Sequence, residues 1–183
     1  MSAPVKHRIE VEEFHRMVDA GVFGPEDRLE LVAGEIIEMA PIGSRHAEIT
    51  TRLQEALSGA LDGLARVRIQ NPVVLSRFHE IQPDLAVLRP RSYAKAHPGP
   101  GDVLLVIEVS DTSLAYDRDV KLPAYAASAI AEVWLVVPTE DLIEVHRKPV
   151  AGSYTETLTV RPDQAISPAA FPEIRVEIRQ IFA

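Results

Sequence analysis

The run Val103-Leu104-Leu105-Val106-Ile107-Glu108-Val109 constrains this chain more than any other segment. It is apolar but for one position and reads as a strand buried in a core. Glu108 is the exception. An unpaired buried charge costs several kcal/mol even after relaxation, so the fold must supply a partner. A second carboxylate, Asp84, follows Pro83 and heads another short apolar run, Leu85–Leu88. Side chains alternate along a strand, so Glu108 shares a face with Val106 and Ser110, and Asp84 with Ala86 and Leu88. Neighbouring strands lie about 4.8 Å apart. If these two are neighbours, their carboxylates converge and repel unless a cation lies between them. Oxygen donors of this kind suit Mg²⁺ or Mn²⁺, and the Val109 carbonyl is a natural third ligand.

The surrounding pattern predicts a mixed α/β sheet. Residues 10–20 read as a short amphipathic helix stopped by Gly21, and residues 29–32 and 35–39 as a hairpin around Ala33-Gly34. Residues 45–61 carry Ile49, Leu53, Leu57 and Leu61 at a spacing of four, with Ser44 as the expected N-cap. Strands are expected at 66–70, 73–75, 84–88, 103–110 and 132–137. Leu142–Arg147, Tyr154–Val160 and Ile174–Ile178 are expected to add an antiparallel edge. The Pro- and Gly-rich stretch 89–102 reads as a loop. An Ala-rich helix is expected over 120–129, beginning near Val120–Lys121 so that Pro123 falls in its first turn. Asp117 would then precede the helix. The whole chain, 1–183, is expected to form one domain.

Composition excludes several classes. There are no cysteines, so disulfides and thiolate metal sites are absent. No apolar stretch approaches the ~20 residues of a membrane span, and the start of the chain has no apolar signal core, which predicts a cytoplasmic protein. A net charge of −8 argues against a strongly basic nucleic-acid coat. Residues 66–95 nevertheless hold six basic residues against two acids. Arg66, Arg68, Arg77, Arg89 and Arg91 are candidates for contact with phosphates. A solvated strand face explains them equally well.

Further signposts surround the two acids. Leu29-Glu-Leu-Val-Ala-Gly-Glu-Ile-Ile-Glu-Met39 precedes His46 at a helix start. Pro83-Asp84 and Val106-Ile-Glu-Val-Ser110 follow, then Asp117-x₃-Lys121-x₃-Tyr125 and Glu132-Val-Trp-Leu-Val-Val137. In this order the residues resemble the PD-(D/E)XK restriction-endonuclease-like superfamily, and more narrowly its bacterial Uma-two family, from about Glu30 to Phe182. Two departures stand out. The superfamily places a lysine two residues after the glutamate, where this chain has Ser110; Lys121 is the stand-in. The family also has a glycine near the end of the following helix, where this chain has Ser128-Ala129-Ile130, which reads as a local change of turn.

The resemblance implies Mg²⁺- or Mn²⁺-dependent hydrolysis of DNA phosphodiesters. Asp84, Glu108 and Lys121 would form the catalytic set, with Asp84, Glu108 and Val109 as metal ligands. Lysine has an ordinary pKa of ~10.4, which two carboxylates raise, so Lys121 is expected to orient water or stabilise the transition state rather than act as a base. Glu35, His46, Asp117 and Tyr125 are candidate accessory residues, the last two as buttresses of Lys121. Nucleases of this type often pair to cut two strands, so the resemblance also implies a homodimer. The alternatives are a catalytically silent module that keeps the fold and binds nucleic acid or protein, and a hydrolase of another phosphate ester.

Overall fold

The computed structural model describes residues 4–183. Helix α1 (Val11–Asp19) is followed by the hairpin β1 (Leu29–Val32) and β2 (Glu35–Glu38). Its two-residue turn places Ala33 and Gly34 at φ 54° and 81°, the left-handed geometry that matches strand twist. Helix α2 (Ser44–Ala60) is preceded by Gly43 as the N-cap residue, so Ser44 is the first helical residue rather than the cap. Strands β3 (Arg66–Ile69), β4 (Val73–Ser76), β5 (His79–Ile81) and β6 (Leu85–Leu88) come next. The three-residue β5 was not foreseen. It is too short to show a period of its own, and its pairing with β1 and β4 defines it.

A short 3₁₀ turn (Pro100–Asp102) closes the expected loop and leads into β7 (Val103–Val109). The crossover to β8 (Glu132–Val137) is helical from Leu114 to Ala127, longer than the sequence suggests. It comprises α3 (Leu114–Tyr116), a π-helical turn (Asp117–Lys121) and α4 (Leu122–Ala127). Asp117 therefore lies in the helix and not before it. The π turn explains how the helix runs through Pro123. Leu122 N–H donates to Asp117 O, five residues back, and the wider turn accommodates a ring that would clash with the preceding turn of a regular α-helix. Strands β9 (Leu142–Val150) and β10 (Ser153–Val160) form the C-terminal hairpin. The expected strand over 174–178 does not join it. Among the described residues β12 (Val176–Glu177) pairs with β11 (Ala165–Ile166) alone, and Ile178–Phe182 is helix α5.

The main sheet has the order β10-β9-β8-β7-β6-β3, with β7–β8 its one parallel pair. The second sheet is antiparallel, β2-β1-β5-β4. One face of the main sheet packs Leu85, Leu105, Ile107 and Trp134 against Ile49, Leu53 and Leu57 of α2 and Ile178 of α5. The other packs Ala86, Val106, Val133 and Leu135 against Tyr125 of α4 and against Val32, Val73 and Ile81 of the second sheet. Glu108 points into this second layer. No described helix is long and apolar enough to cross a membrane.

Candidate active site

Strands β6 and β7 are antiparallel neighbours, with Leu85 opposite Ile107. Continuing that register by one residue sets Asp84 beside Glu108, on the face that alternation assigns them. The two are linked through the backbone: Asp84 N–H points at Glu108 Oε2 (3.4 Å), and Val109 N–H donates to Asp84 Oδ2 (2.8 Å). His46, in the first turn of α2, bonds the same Oδ2 through Nε2 at 2.9 Å. Gln70 Nε2 lies 3.4 Å from Oδ1. Both carboxylates are buried, at 7% and 2% exposure.

The crossover helix brings Lys121 over this pair. Its Nζ lies 3.4 Å from Glu108 Oε1 and 3.4 Å from Glu30 Oε2. Tyr125 O–H donates to Glu108 Oε1 at 2.5 Å. Asp117 accepts from Ser110 Oγ (2.8 Å) and Ser113 Oγ (2.5 Å) at its Oδ2. Ser110 thus stands where the superfamily pattern has lysine and holds Asp117 instead. Asp117, Lys121 and Tyr125 are all buried, and the π turn aligns them. Four α-helical residues overshoot a full turn by about 40°. Four residues across a wider i→i+5 turn advance less. The two drifts oppose each other, which keeps the three side chains on one stripe facing Glu108.

Electrostatics follow from burial. Desolvation, reinforced by Asp117 and Asp84, pushes the Glu108 carboxyl up to about 8 despite Lys121 and Tyr125. Desolvation also raises Glu30, with Lys121 opposing. For Lys121 burial acts downward, but Glu108, Glu30, Asp117 and Asp84 outweigh it and hold the ammonium above the ordinary lysine range. Lys121 therefore stays charged at neutral pH. The Tyr116 phenol is pushed up to about 12, first by desolvation and then by Glu30.

These groups line a cavity of about 420 Å³ at the C-terminal end of β7, bounded by Gly43 and His46 at the start of α2 and by Ser113 and Tyr116 at the start of the crossover helix. Asp84, Glu108, Val109, His46, Asp117 and Lys121 all face it, whereas Tyr125 lies behind Glu108. Glu35 does not; it is exposed and pairs with Lys6. The arginines are dispersed. Arg66 and Arg89 lie toward the opposite end of β6, Arg77 pairs with Glu10, and Arg91 pairs with Asp102. Arg68 holds Asn71 through Nη2 while its Nη1 is buried without a partner among the described residues. The residue missed is Glu30, at 2% exposure. Its signal was present: it interrupts the apolar run Leu29–Val32 as Glu108 interrupts β7. Arg28, also overlooked, lines the same cavity.

The donor set fits a hard divalent cation. Asp84 and Glu108 lie on neighbouring strands and face one cavity, and the Glu108 carboxyl is raised first by desolvation and then by Asp117 and Asp84, so a divalent cation there would offset charge that burial disfavours. The Val109 carbonyl accepts Asp111 N–H at 3.1 Å, which leaves it a second lone pair.

The family Uma2, described as "Putative restriction endonuclease", matches residues 11–179. No curated protein matches the chain significantly. Among solved structures, one described as "a putative nuclease belonging to DUF820", from Anabaena variabilis ATCC 29413, superposes with a TM-score of 0.73. It is 18% identical, and the match covers 95% of this chain and 97% of that one. At that identity the likeness establishes the fold, which is restriction-endonuclease-like.

Proposed function

Since the chain belongs to the Uma2 family, we propose that it is a metal-dependent endonuclease that hydrolyses DNA phosphodiesters in the cavity at the end of β7. One observation carries the reading: Asp84, Glu108 and Lys121, from three separate segments, meet at one cavity with Glu30 completing the charge set. Asp84, Glu108 and the Val109 carbonyl would hold Mg²⁺ or Mn²⁺. Such an ion, when bound, supplies Lewis acidity toward a phosphoryl oxygen and activates water. The remaining work falls to side chains. His46 and Val109 N–H fix the Asp84 carboxylate. Tyr125 and Lys121 fix Glu108. Lys121, held protonated, stabilises charge developing on the phosphate. Glu30 restrains the ammonium from the far side. DNA as substrate and pairing of two copies to cut two strands belong to the same proposal.

The test is nicking of supercoiled plasmid in Mg²⁺ or Mn²⁺ by the wild type, Asp84→Ala and Glu108→Ala. Nicking by the wild type alone is expected. Nicking that survives both substitutions overturns the assignment. Calorimetry with Mn²⁺ examines the ion separately, and binding is expected to be lost in both variants.

A further inference from the structure

The second sheet has two faces. Glu30 of β1 points toward Lys121, whereas its neighbour Leu31 packs beneath α1 with Val11 and Phe14. Glu80 of β5 pairs with Leu31 and lies on this outer face, where His15 of α1 meets it: His15 Nε2 is 2.6 Å from Glu80 Oε2. The Glu80 side chain is only 6% exposed. His97, from the segment between β6 and β7, joins them with its ring edge-on to His15, centroids 6.0 Å apart. One ligand atom from each of His15, Glu80 and His97 falls within 4.8 Å of the other two.

We propose that His15, Glu80 and His97 form a second metal site, selective for zinc-like transition ions and separate from the oxygen-lined cavity. Two imidazoles and one carboxylate form a ligand set that zinc takes with a fourth position left for water. Imidazole donors favour such ions over Mg²⁺. At bond lengths of ~2.0–2.2 Å, ligand atoms around tetrahedral zinc lie roughly 3.3 Å apart, so the cluster needs rearrangement on the order of an ångström. The scaffold holds each ligand. His15 is on a regular helix and Glu80 on a strand paired on both sides. His97 adjoins Pro98, whose carbonyl accepts Val74 N–H at 3.0 Å. Coordination through His15 Nε2 would replace its hydrogen bond to Glu80, with the imidazole in the Nδ1–H tautomer. The bound ion fastens α1 to the outer face of the sheet that carries Glu30.

The experiment uses the full chain, stripped of metal and returned to excess Mg²⁺ so that the oxygen site is supplied. Co²⁺ is titrated as a visible-absorbing probe, then displaced by Zn²⁺, and the thermal midpoint is followed. One equivalent of Zn²⁺ is expected to bind above the Mg²⁺ background and raise the midpoint. His97→Ala, at an exposed loop position where folding is not at stake, is expected to lose both the Co²⁺ band and the shift, as is His15→Ala. Asp84→Ala is expected to retain both. A wild type that takes up no Zn²⁺, or a His97→Ala variant that still binds the equivalent, overturns the proposal. Neither result bears on nicking at the other site.

Discussion

Glu108 is the residue on which stability and the proposed chemistry pull in opposite directions. Its carboxyl is raised from 4.5 to about 8 in the folded chain. A group that holds its proton more tightly when folded stabilises the protein below its unfolded pKa. That contribution is lost as pH rises from about 4.5 to about 8. In the presence of EDTA, Glu108→Gln is therefore expected to be more stable than the wild type at pH 8, by roughly 4 kcal/mol, with little difference at pH 4. Denaturant titrations at the two pH values measure this, and equal differences at both would show that the burial cost of Glu108 is otherwise met. At Lys121 the charge itself is proposed to matter. Lys121→Ala is expected to lose most nicking while Lys121→Arg keeps some. Equal loss in both, with Mn²⁺ binding intact, would exclude a purely electrostatic role.

The crossover between β7 and β8 shows how elements translate spacing into position. Asp117, Lys121 and Tyr125 are visible in the sequence as a stripe of four-residue steps, yet Pro123 argues against a helix through them. The π turn reconciles the two, a rare geometry that local propensity does not announce. The end of the helix is equally informative. Ile130 N–H bonds Tyr125 O and Ala129 N–H bonds Ala126 O, a Schellman ending with Ala129 at φ 58°. The turn is therefore the one that glycine favours, although this chain places Ala129 in it. A Cβ in this conformation costs roughly 1–2 kcal/mol. Ala129→Gly is expected to stabilise the chain by about 1 kcal/mol, readable as a raised denaturation midpoint. A lowered midpoint would mean that flexibility of the unfolded chain outweighs the relief.

At the scale of the molecule, a carboxylate inside an apolar strand has two different fates. Glu108 in β7 faces the cavity. Glu132 in β8, fully buried, accepts from Arg147 Nε and Nη2, from Trp134 Nε1, and from Ala169 N–H. It ties the segment after β11 to the main sheet and is fully used in doing so. Removing one partner of a buried ion pair costs about 3–5 kcal/mol. Glu132→Ala is expected to lower stability by that order and to leave Mn²⁺ binding unchanged; calorimetry alongside thermal denaturation separates the two. Loss of metal binding in the folded variant would extend the site beyond the cavity.

Most strands of the main sheet, the hairpin with its left-handed turn, and the candidacy of Asp84 and Glu108 were legible in the sequence, because alternation and turn chemistry are local and a charge in an apolar run is conspicuous. Lys121 entered through the family resemblance, and the short β5 and the fate of residues 174–178 were not legible. Glu30 was written in the same way as Glu108, but a single acid in a four-residue strand has too little context to stand out from a surface residue. Which carboxylates share a cavity depends on strand order, and strand order is set by packing between residues far apart in the chain. The same holds for His15 and Glu80, 65 positions apart. Tertiary structure alone also dispersed the arginines that are grouped in sequence, sent Glu35 to the surface, and separated the site acid Glu108 from the structural acid Glu132. Local order determines which residue types are present on which face; only the closed packing of the two sheets and the crossover helix decides which of them meet.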